Sequence, residues 1–60
     1  MALYEIVLTY PDCETSFFSD RRPVVGETLQ LGPESWYVAF EDESDFRYVA
    51  ARFLCRSATQ

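Results

Sequence analysis

Few of the side chains that usually carry chemistry occur in this chain. It has no His and no Lys, so neither a Ser-His-Asp arrangement, a Schiff-base amine nor a lysine phosphate clamp can be built from it. What remains is two cysteines, five arginines and a run of carboxylates at Glu41-Asp42-Glu43-Ser44-Asp45. Cys13 and Cys55 lie far apart, with no second thiol or imidazole at ligand spacing, so no zinc site is expected. A bridge between them would close a long loop and add about 4 kcal/mol. No secretory segment accompanies them, since MALYEIVLTY has no basic start and Glu5 interrupts its apolar run. The expectation is a cytoplasmic protein with two free thiols, Cys55 in the core and Cys13 in an exposed turn. The carboxylate run lacks the mid-loop glycine and closing Glu of an EF-hand and reads as a solvated connector. No catalytic, cofactor or metal residues are assigned, and no small-molecule substrate is evident.

Binding is a better use of this inventory than catalysis. One Trp, four Tyr and five Phe in 60 residues are more aromatic surface than one small core can enclose. Some of it must lie outside, and arginine beside tyrosine is a common interface pairing. The formal net charge of -5 works against nucleic acid as the partner, because a polyanion is repelled before any counterion can be released. No stretch is apolar enough to span a membrane.

The elements that would position these residues read as strands. Leu3 to Tyr10 is rich in β-branched and aromatic types and stops at Pro11. Tyr4, Ile6, Leu8 and Tyr10 share one face, expected inward; Leu3, Glu5, Val7 and Thr9 share the wetter one. Pro11-Asp12-Cys13 is a turn, and Glu14 to Ser19 returns as a second strand. Asp20-Arg21-Arg22-Pro23 is a connector. Thr28 to Leu31 follows, with Leu29 and Leu31 inward, and Gly32-Pro33-Glu34-Ser35 is the strongest turn signal. In the returning strand Trp36, Val38 and Phe40 alternate inward, with Tyr37, Ala39 and Glu41 outward. The expected core is therefore Leu29, Leu31, Trp36, Val38 and Phe40 packed against Ile6 and Leu8.

Residues 46 to 56 fit two periods. As a strand they place Val49, Ala51, Phe53 and Cys55 inward, and Tyr48, Ala50, Arg52, Leu54 and Arg56 outward. As a helix they place Phe46, Val49, Ala50, Phe53 and Leu54 on one stripe. Modest helix propensity and the open core of four strands favour the strand. The fold expected is all-β, a small five-stranded antiparallel barrel or meander over residues 1–56, with a frayed tail at 57–60. The alternative is an α+β sheet covered by a helix at 46–56.

Val24-Val25-Gly26-Glu27-Thr28-Leu29-Gln30-Leu31-Gly32, followed by Trp36-Tyr37-Val38, resembles a pattern of SH3-like small barrels. The chain as a whole resembles short uncharacterised bacterial proteins in which a hairpin precedes that element and an Arg-Phe-containing strand ends the chain. The resemblance implies a small barrel that binds peptide, nucleic acid or another subunit. The aromatic run with which SH3 domains grip proline-rich peptides has no counterpart at matching positions. The partner-binding residues expected are Tyr37, Tyr48, Arg52, Leu54 and Arg56, on the outer faces of two strands, meeting a protein partner or a second copy. Alternatives are a nucleic-acid-binding barrel and an acidic mimic of a nucleic-acid backbone.

Overall fold

The structure is a computed structural model and describes residues 2–58. Five strands follow one another: β1 (Leu3–Thr9), β2 (Glu14–Ser19), β3 (Thr28–Leu31), β4 (Glu34–Asp42) and β5 (Val49–Ser57). They form one sheet in the order β2-β1-β5-β4-β3, curled into a half-barrel. No helix occurs among the described residues, which removes the helical alternative for residues 46 to 56. The expectation of an all-antiparallel barrel or meander is corrected in one place. β1 and β5 run parallel, so the sheet is mixed, and β2 and β3 are left as its edges.

Local chemistry accounts for both hairpins. Pro11-Asp12 turns β1 into β2, and the Tyr10 N–H donates to the Cys13 carbonyl at 2.8 Å. Gly32 takes a φ of 63° at the first position of the two-residue turn between β3 and β4, where a hairpin of this twist calls for glycine. Glu34 and Ser35, expected in that turn, already belong to β4. A third turn at Val24 to Glu27 is closed by its own acidic side chain. The Val24 N–H donates to Glu27 Oε2 at 2.8 Å, and the Glu27 N–H donates to the Val24 carbonyl at 3.0 Å. Gly26, with a φ of 99°, sits where a side chain would be strained.

The inner face carries the core: Ile6, Leu8, Trp36, Val38, Ala51, Phe53 and Cys55, with Tyr4, Tyr10, Leu29 and Leu31 packed around them. Leu29 and Leu31, on the short edge strand β3, are only half-buried. Tyr10 meets Trp36 edge-on at 5.2 Å, and Tyr4 meets Phe53 at 6.2 Å. Arg22, from the connector, lies 5.5 Å from both the Tyr4 and Phe53 rings and donates to Glu41 at 2.9 Å. It therefore roofs one end of the core with a cation over aromatic faces.

Two expectations fail along β4 for one reason. Val38 stands opposite Cys55, but Phe40 stands opposite Leu54, so Ala39 is an extra residue in the ladder. Such a bulge reverses the alternation beyond it. Phe40, expected in the core, is turned to the outer face and is 51% exposed. Glu41, expected outward, stands opposite the inward Phe53 and reaches Arg22. The backbone of Val38 is engaged outside the strand: its carbonyl accepts from Gly26 N–H and its N–H donates to the Glu27 carbonyl. That attachment anchors the strand where the bulge begins. Glu41 and Asp42 are thus strand residues, and the acidic connector starts only at Glu43.

At the chain end, Ser57 closes β5 and the Ala58 N–H donates to the Ser35 carbonyl at 2.9 Å. The remainder of the expected tail, residues 59 and 60, lies outside the described residues.

Candidate functional site

The outer face of the sheet is built from the residues that alternate away from the core. β1 contributes Glu5, Val7 and Thr9, β5 contributes Arg52, Leu54 and Arg56, and β4 contributes Tyr37, Phe40 and Asp42. Strand pairing places these in rows. Tyr37 stands opposite Arg56, Phe40 opposite Leu54 and Asp42 opposite Arg52, while Glu5, Val7 and Thr9 line up with Arg52, Leu54 and Arg56 from the other side. The middle row, Val7-Leu54-Phe40, is apolar, and the rows on either side are charged or polar.

Of the expected binding residues, Tyr37, Leu54 and Arg56 come together. The Arg56 guanidinium lies 5.9 Å from the centre of the Tyr37 ring, a cation stacked on an exposed aromatic. Arg52 shares the face but is engaged otherwise: its Nε lies 3.3 Å from Glu5 Oε1, at ion-pair distance without hydrogen-bond alignment. Glu5 is 7% exposed, so this carboxylate is buried on what reads from sequence as the wetter face of β1. Val7 beside it is 2% exposed. The reason is position: β1 is flanked by β2 and β5, and neighbouring side chains close over it from both sides.

Tyr48 does not join the others. It sits in the turn before β5, at the opposite end of that strand from Arg56, and is 79% exposed. At about 3.3 Å per residue the two are roughly 25 Å apart. Its neighbour Phe46 packs edge-on against Phe18 of β2 at 6.2 Å.

Phe40 is the residue that sequence reasoning missed. Strict alternation assigns it to the core, and no local signal marks Ala39 as supernumerary. With Leu54, Ala39, Thr9, Glu14 and Arg56 it borders a half-open basin of about 330 Å³ whose exposed lining is mostly apolar. A second basin of about 380 Å³, lined by Glu5, Val7, Glu14, Thr15, Ser16 and Arg52, is polar. Cys55 borders the apolar basin, but its side chain belongs to the inner-face core, where burial, with the Glu27 charge second, pushes the thiol above its ordinary value of 9.0. Cys13 is free and exposed. No group of three or more His, Cys, Asp or Glu able to hold a metal occurs among the described residues.

No family model, curated protein or solved structure matches the chain. No helix is long and apolar enough to cross a membrane among the described residues.

Proposed function

We propose that this chain is a small, non-catalytic protein-binding module of the SH3-like small-barrel kind, working in the cytoplasm, whose partner docks on the outer face of β4 and β5. One observation carries the reading: the bulge at Ala39 delivers Phe40, half-exposed, beside Leu54 and the stacked Tyr37–Arg56 pair. An aromatic set next to an apolar basin with an arginine at its rim has the make-up of an interface hot spot. The partner that fits is a protein segment offering one apolar side chain to the basin and a carboxylate or carbonyl oxygen to Arg56. The free thiols of Cys13 and Cys55 suit a reducing compartment.

The same geometry disfavours the alternatives. Arg52 already faces Glu5, which leaves Arg56 as the face's outward cation for a phosphate, against a net charge of -5. The acidic run is divided, with Glu41 inward on Arg22 and Asp42 outward, so it forms no regular array resembling a nucleic-acid backbone. The test is selection of peptides from a random display library on the wild-type protein, followed by affinity measurement on Leu54→Glu. Selected peptides should carry an apolar anchor and lose about tenfold or more in affinity on the variant. Peptides that bind Leu54→Glu as well as wild type would refute the site.

A further inference from the structure

β2 ends the sheet, and five of its six residues are exposed. Its sequence, Glu14-Thr15-Ser16-Phe17-Phe18-Ser19, has no lysine, no proline and no bulge against β1, and its one charge, Glu14, stands at its first position. The other edge, β3, is four residues long, and its Gln30 side chain folds back on Gly32 and Ser35. Short edge strands are themselves a protection. β2 is the exposed template.

Which backbone groups β2 offers follows from the hairpin register. The Tyr10 N–H to Cys13 carbonyl bond makes that pair a hydrogen-bonded one. Bonded and non-bonded pairs alternate along an antiparallel ladder. Leu8–Thr15, Ile6–Phe17 and Tyr4–Ser19 are therefore bonded pairs, and Thr15, Phe17 and Ser19 direct their N–H and carbonyl groups into β1. Glu14, Ser16 and Phe18 direct theirs away from the sheet.

These outward groups are spaced evenly about Ser16, which makes the edge complementary to itself. If a second β2 runs antiparallel across a twofold axis at Ser16, Ser16 meets Ser16 of the other copy and Glu14 meets Phe18, twice. All three outward residues then find bonded partners within the strands. A shift of one pair in either direction strands one of them beyond the strand end, so the register centred on Ser16 is the one that pairs all three. We infer that β2 is a homodimerisation edge, pairing antiparallel with β2 of a second copy about Ser16 to give a continuous ten-stranded sheet. The outer-face site meets this edge only at Glu14, which borders the apolar basin; Phe40, Leu54, Tyr37 and Arg56 lie on β4 and β5.

The test combines sedimentation with amide exchange on the full chain over a concentration series. The expected result is a mass that rises from monomer to dimer. In parallel, the amides of Glu14, Ser16 and Phe18 should gain protection with concentration, while those of Thr15, Phe17 and Ser19 are protected throughout. Ser16→Pro removes an outward donor at the axis, a position where an edge strand tolerates proline, and should weaken association about tenfold or more. Ser16→Lys and Ser16→Glu should each weaken self-association and restore it when mixed, a readout that loss of folding cannot imitate. Leu54→Glu should leave the dimer intact. A chain that stays monomeric at the highest soluble concentration would overturn the inference. So would a dimer in which the amides of Glu14, Ser16 and Phe18 exchange freely.

Discussion

Truncating Phe53 and Phe40 to alanine, one at a time, should give costs that differ severalfold although the chemical change is the same. Phe53 is 1% exposed, touches Tyr4 edge-on and lies under the Arg22 guanidinium. Its removal leaves a cavity that the sheet cannot close, and the expected cost is about 3–5 kcal/mol. Phe40 is half-covered by Leu54 and its surroundings, on a side open to solvent. Full burial of such a side chain contributes about 1.5–3 kcal/mol, so half of it contributes about 1 kcal/mol, and no enclosed void is created. A domain of 60 residues has a total stability of about 3–9 kcal/mol. Phe53→Ala should therefore lose a large part of that stability, and Phe40→Ala should keep most of it. Urea denaturation followed by the fluorescence of Trp36, itself 2% exposed, reads both. With a slope of about 1 kcal/mol per molar urea, Phe40→Ala should move its midpoint by roughly 1 M. Equal costs at the two positions would refute the reasoning, because they would mean that β4 runs without a bulge and Phe40 faces the core.

The other predictions concern groups buried on either side of the sheet. Arg52→Met alone should cost about 1–3 kcal/mol, since it leaves the buried Glu5 carboxylate without its counter-ion. The double change Glu5→Leu with Arg52→Met should recover most of that loss in a double-mutant cycle, because an apolar pair of similar volume carries no desolvation penalty. Additive losses would show that the two side chains do not interact. The Cys55 thiol holds its proton more tightly in the folded chain than in the unfolded one. Its contribution is therefore complete below the ordinary value of 9.0 and is lost as the pH rises through the folded value. The stability difference between wild type and Cys55→Val should be flat up to about pH 8 and shift against wild type above about pH 9. A flat difference to the highest accessible pH would mean that Cys55 is not shielded.

How much of this protein was legible from sequence depends on the range of the interaction. Pro11-Asp12 and Gly32-Pro33 dictate where the chain reverses through their own dihedral preferences, and period two assigns Ile6, Leu8, Trp36 and Val38 to the core. These are local properties, so residue types along a few positions suffice. Of the expected binding residues, Tyr37, Leu54 and Arg56 shared a face because each lies on a segment where that alternation is unbroken. Tyr48 fell away because β5 begins only at Val49, a boundary set by its pairing with β1.

Tertiary structure decided the rest. Residues 46 to 56 satisfy a helical stripe and a strand alternation equally. The choice was made by two neighbours, β1 and β4, each supplying a ladder of backbone hydrogen bonds that a helix at that place would leave unmet. Whether β5 meets β1 parallel or antiparallel is likewise invisible in side-chain pattern, because both directions show the same faces to the core. The bulge at Ala39 has no residue signature; it sits where Gly26 and Glu27 take hold of the Val38 backbone on one side and the ladder to β5 shifts on the other. Composition and turn chemistry made this an all-β chain with a Trp36-centred core. Backbone hydrogen bonding between distant strands, which carries no residue code, placed Phe40 on the outer face and left β2 at the edge.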